Sequence, residues 1–173
     1  MIEIVFAMSI LTVGFLAQSS LTVTQHKQHR LNLEHRVALK AIRDQVTLLR
    51  GVAFESVFAS FDKNPSNDPT FAPGPHFDVD ELEPDPADVD GRVGRVIFPT
   101  LKPTSTAAPV LREDYADASM GMPADLDGDG LIDAQAKDEN YIHLPVVIEL
   151  RWRGVLGPQT SRIATWLTPR GNP

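Results

Sequence analysis

The chain has 173 residues, 42% of them apolar, with no cysteine and a formal net charge of −7. That length suits one small domain with an appendage. The missing cysteine excludes disulfides, thiolate metal sites and cysteine nucleophiles, and the acidic balance speaks against a nucleic-acid partner, which would need a basic surface to release phosphate counterions.

The charge is unevenly placed. No Asp, Glu, Lys or Arg occurs between Ile4 and His26, whereas residues 62–141 hold 18 acids against 6 bases. Beyond them Arg151, Arg153, Arg162 and Arg170 face only Glu149. Residues 4–24 therefore read as about 20 mostly apolar residues, enough to cross a bilayer as a helix. A cleavable secretory signal would open on a basic region and use a shorter apolar run. A plain anchor fits the length, but it leaves Glu3 unexplained, since a carboxylate at the edge of an apolar helix is costly without a partner.

The residues Met1-Ile-Glu-Ile-Val-Phe-Ala-Met-Ser-Ile-Leu-Thr-Val-Gly-Phe-Leu-Ala17 resemble the start of mature type IV pilins and of the pseudopilins of type II secretion. The resemblance implies cleavage by a prepilin peptidase, an N-methylated first residue and residence in the inner membrane as a precursor. It further implies handling by a pilus assembly machinery and a final place in an extracellular helical filament, a homo-oligomer on the bacterial cell surface. In that family a glutamate neutralises the N-terminal amine of a neighbouring subunit, and Glu3 is the residue expected in that role. The family has four residues ahead of this glutamate and here there are two, so either the sequence begins two residues late or the mature end is shortened.

The helix is expected to run on. No proline precedes Pro65, and residues 26–61 are rich in helix formers. Leu39, Ile42, Val46, Leu49, Ala53, Val57 and Phe61 recur at spacings of three and four, giving one apolar stripe that predicts a face packed on a sheet. Gly14 and Gly51 are its expected weak points. Residues 62–90 predict a loop, because Pro65, Pro69, Pro73, Pro75, Pro84 and Pro86 interrupt every element among many acids.

Residues 92–100 predict a short strand. In residues 146–153, Val146, Ile148, Leu150 and Trp152 alternate with Glu149, Arg151 and Arg153, the pattern of a half-buried strand. A glycine turn at 154–158 and a return strand at 160–168 complete a hairpin. This Trp-bearing hairpin also resembles the C-terminal end of minor pilins and pseudopilins.

One motif has the look of a site. Asp125-Leu-Asp-Gly-Asp-Gly-Leu-Ile-Asp133 spaces Asp125, Asp127 and Asp129 at alternate positions, where a tight turn converges their oxygens on one ion. Gly130 permits that turn, the Leu131 carbonyl is the next expected ligand, and Asp133 follows directly or through water. It resembles the calcium loops of EF-hands, dockerins and thrombospondin type 3 repeats, which implies Ca²⁺. The twelfth position, where those loops carry a bidentate acid, holds Ala136, leaving Asp138 or Glu139 as candidates to complete the shell. His26, His29 and His35 fall on the long helix, with His29 and His35 not at metal spacing, and His76 and His143 stand alone, so no enzyme activity is expected.

These readings predict an α+β, pilin-like fold: residues 1–25 as the membrane and filament-core half of a long helix, 26–61 as its amphipathic half, and 62–173 as a globular head. The expected function is structural self-assembly into a filament. A minor pilin or pseudopilin of a secretion system, and a membrane-anchored extracellular calcium-binding module, stand as alternatives.

Overall fold

The computed structural model describes residues 2–64, 72–88, 90–104 and 107–169. Met1, the part of the proline-rich loop at 65–71 that includes Pro65 and Pro69, residue 89, and the C-terminal end with Arg170 lie outside the described residues. The expected fold class is the one observed: a long N-terminal helix and a small antiparallel sheet. Helix α1 spans Ile2–Gly51, 50 residues, or about 75 Å at about 1.5 Å per residue. A second helix, α2, follows at Phe54–Phe61.

The chain therefore breaks the expected continuous helix at Val52 and Ala53, directly after Gly51. Ala53 takes an extended ψ of 129° and caps α2 without a side-chain hydrogen bond. A tertiary tether compensates. The Tyr141 hydroxyl donates to the Phe54 carbonyl at 2.8 Å and accepts from the Phe58 N–H at 3.4 Å, which pins α2 to the head.

Six strands follow. They are β1 (His76–Phe77), β2 (Gly94–Ile97), β3 (Thr100–Leu101), β4 (Val110–Leu111), β5 (Leu144–Gly154) and β6 (Gly157–Leu167). The main sheet has the order β1-β2-β5-β6, with antiparallel neighbours throughout; β3 and β4 form a separate ribbon. The expected short strand at 92–100 is thus divided between β2 and β3. The expected hairpin is β5-β6, closed by the two-residue loop Val155-Leu156 between the paired Gly154 and Gly157. Glu34 on α1 accepts the Val155 N–H at 3.2 Å, tying the helix to that loop.

The core lies between the second half of α1, α2 and one face of the sheet. From the helices it takes Ala38, Ile42, Leu49, Phe58 and Phe61, and from the sheet Val96, Ile148, Leu150 and Trp152. Phe58 meets Phe98 edge to face with centroids 5.3 Å apart; each such ring contributes about 1.5–3 kcal/mol through burial. The stripe on α1 is turned by about one residue from the expected one. Ala38, Ile42, Gln45 and Leu49 are the buried set, while Leu39 stays 43% exposed. Both sets keep the three–four spacing and share Ile42 and Leu49, so periodicity alone does not separate them. The side on which Ala38 lies is the one turned to the sheet.

Candidate functional site

Two regions carry chemistry. The first is the N-terminal half of α1. Its apolar side chains are largely exposed: Phe6 is 70% exposed, Leu11 74% and Phe15 71%. Residues 2–30 contain no buried position at all. This helix is long and apolar enough to cross a membrane. Four of its hydroxyls suit such surroundings. The hydroxyls of Ser9, Thr12, Thr22 and Thr24 donate to the carbonyls of Val5, Met8, Gln18 and Ser20 at 2.7–3.0 Å, so each is satisfied within its own helix without water. Glu3 stands in the first turn, at the positive end of the helix dipole.

The second region is the acidic loop between β4 and β5. Asp125 builds it. Its Oδ1 accepts the Gly128 N–H at 2.6 Å and its Oδ2 the Gly130 N–H at 2.8 Å. Both glycines have φ near +80° (81° and 85°), a backbone conformation strained for any residue with a Cβ. Asp127 accepts from the Asp129 N–H, Asp129 from Leu131, and Asp133 from Gln135. The result is a chain of local turns, each closed by an aspartate side chain on its own backbone. Leu126, fully buried between them, anchors the loop: its carbonyl accepts the N–H groups of Ile142 at 2.8 Å and His143 at 3.0 Å.

Of the residues expected to bind an ion, the structure brings Asp125 and Asp127 together, and joins them to a residue that the sequence did not suggest. Carboxylate oxygens of Glu113, Asp125 and Asp127 lie within 4.8 Å of one another. Glu113 is fully buried and accepts the N–H groups of Leu126 at 2.8 Å and Asp133 at 3.1 Å. Asp129 is exposed and stands outside this group, as do Asp133 and the exposed Leu131. Asp138 turns elsewhere, accepting the Leu111 N–H at 2.6 Å. Glu113 lies a dozen positions ahead of the motif, and only the pairing of distant loops brings it in.

Lys137 was equally unforeseen. Its buried ammonium lies 2.7 Å from Asp127 Oδ2, 3.5 Å from Asp133 Oδ1 and 3.6 Å from Glu113 Oε2. The hydrogen bond to Asp127 holds the Lys137 pKa above its ordinary value, and the same bond holds Asp127 below the usual carboxylate range. The oxygen donors are of the kind that binds calcium. The lysine is a built-in monovalent counter-ion to the same carboxylates.

No protein-family model, curated protein or solved structure matches the chain.

Proposed function

We propose that the chain is the structural subunit of an extracellular filament of the type IV pilus kind. Residues 2–25 hold it in the inner membrane as a precursor, and the same residues then pack against those of other copies. The observation that carries this reading is a helix half whose large apolar side chains stay exposed among the described residues, headed by a single carboxylate. In a membrane those side chains are satisfied by lipid; outside it, only other copies of the same helix offer an equivalent surface. Glu3 supplies register. An ionised carboxylate in apolar surroundings needs a cation, and the N-terminal amine of an adjacent copy is the cation that a staggered packing of identical helices brings near. A prepilin peptidase and an assembly machinery would be its partners in the cell. Nothing in the reading calls for catalysis or for nucleic acid.

The test is replacement of Glu3. The Glu3→Ala chain is expected to insert into the membrane as the natural chain does, yet to enter filaments in severalfold lower amount. Wild-type incorporation would remove the electrostatic role.

For the acidic loop we propose calcium, held by Asp125, Asp127 and Glu113 with Asp129, the Leu131 carbonyl and Asp133 as further oxygen donors. Five carboxylates against one ammonium leave the loop strongly negative, and a divalent ion offsets more of that charge than Lys137 does. A second reading rests on Lys137 itself: its ammonium, buried at 2.7 Å from Asp127, serves as the permanent counter-ion and no metal is needed.

A further inference from the structure

The sheet face turned away from α1 carries charges that the proposed function leaves unexplained. Trp152 on β5 packs against His35 of α1 with ring centroids 5.7 Å apart, so Glu149 and Arg151, at alternate positions, point to the other side. Register aligns Arg95, Glu149 and Arg162 across β2, β5 and β6. Glu149 Oε1 accepts from Arg95 Nη2 at 2.6 Å and lies 2.7 Å from Arg151 Nε. Two guanidinium groups thus share one carboxylate. Arg162 pairs with Asp117 at 2.8 Å. These residues line an open groove of about 550 Å³, to which Lys63 and Lys102 also contribute. Both lysines are exposed and form no ion pair among the described residues. Among the described residues the groove has five cationic side chains against three carboxylates, in a chain whose net charge is −7.

The opposite surplus lies elsewhere on the head. In segment 78–88, Asp80, Glu81 and Glu83 are exposed, and among the described residues none of them forms an ion pair. The segment is held beside α1 and the far end of β5: the Glu83 carbonyl accepts the Arg153 N–H at 2.8 Å, and Pro84 bridges to Trp152. These bonds fix the segment at the edge of β5, where its exposed carboxylates form no ion pair with Lys63 or Lys102. Held there, the segment leaves the two lysines unpaired within its own chain among the described residues, and a second copy can present the same segment to them.

We propose that the acidic segment 78–88 of one head docks into the basic groove of the next copy, with the exposed Lys63 and Lys102 as its principal contacts. The contact rests on the reading of the chain as a self-assembling subunit. It adds to that reading a head-to-tail interface, the kind that propagates into an open helical filament when the rotation does not close. Because the charges are exposed, the contact sets register and encounter rate more than strength, and salt screens it over about 8 Å at physiological ionic strength.

Charge reversal in the full-length chain tests it. Lys63→Glu with Lys102→Glu, and separately Asp80→Lys with Glu83→Lys, should each lower filament yield severalfold in cells. All four changes in one chain, or the two variant chains co-expressed, should restore it. Assembly of either variant alone at the natural level overturns the docking and leaves the filament reading standing. Loss of assembly by the groove variant alone points to a different acidic occupant and also overturns it. Should the natural chain form no filament, carbodiimide coupling of mixed isotope-labelled copies in the membrane decides. A link between copies joining Lys63 or Lys102 to segment 78–88 sustains the contact while the filament reading falls; no such link overturns both.

Discussion

Asp117 shows how single residues hold the head together. It accepts from the Ser119 N–H and hydroxyl, at 2.9 and 2.6 Å, and from Arg162 on β6 at 2.8 Å, so the loop after β4 is fastened to the sheet through one carboxylate. The Ser119 hydroxyl and the Arg162 guanidinium hold its pKa below the usual aspartate value. A carboxylate lowered by folding stabilises the native state above its unfolded pKa, and that contribution fades as pH falls through the folded value. Asp117→Asn should therefore lower the melting temperature at neutral pH and leave it nearly unchanged well below the aspartate range. Equal loss at both pH values would show that the contact acts through shape rather than charge. The acidic loop allows an equally local test. If calcium binds the folded state alone, it adds RT ln(1 + [L]/Kd), roughly 2.7 kcal/mol at a hundredfold excess over Kd. Chelator should then lower the melting temperature of the natural chain, and Asp127→Ala should abolish the difference. A melting temperature indifferent to calcium, but lowered by Lys137→Met, selects the lysine as counter-ion.

At the scale of elements, much of the architecture is legible in the sequence. The charge-free run, the three–four spacing after residue 38 and the alternation from Val146 to Trp152 define α1, its packed half and β5, because local periodicity is enough to define each. The break after Gly51 is partly legible, since glycine marks the spot, but the tether from Tyr141 that makes the break tolerable is a contact across 87 residues. Glu149 shows the same limit. Alternation places it on the face away from α1, yet it is buried there by the arginines and the loop that cover that face. Within the acidic loop, the turns closed by Asp125, Asp127 and Asp129 are local and readable, whereas Glu113 and Lys137 come from outside the motif. Gly51 itself yields a prediction at this scale. Open space surrounds a Cβ placed there and its φ is not positive. Gly51→Ala should therefore raise stability by about 0.5–1 kcal/mol by lowering the entropy of the unfolded chain, read as a higher urea midpoint of the detergent-solubilised chain. A lower midpoint would mean that the break needs glycine's freedom.

The whole molecule joins two parts with different solvents. The head buries its apolar residues against the second half of α1, while the first half displays Ile2, Phe6, Leu11, Phe15 and Leu16 over more than half of their surface. Such an apolar surface on a water-soluble protein marks a partner or a membrane, and the proposed function uses both in sequence. Charge follows the same division: acids concentrate on the head and none lies on the helix between residues 4 and 26, so heads can face water while helices come together. The most direct measurement is electron cryomicroscopy of filaments sheared from cells producing the full chain with an assembly machinery, with the subunit identified by mass. The account predicts a helical filament containing this chain, residues 2–25 bundled at the axis and the heads outside. Cells that hold the chain only as detergent-extractable monomers in the membrane, with no filament containing it, would contradict the account and leave a membrane-anchored module in its place.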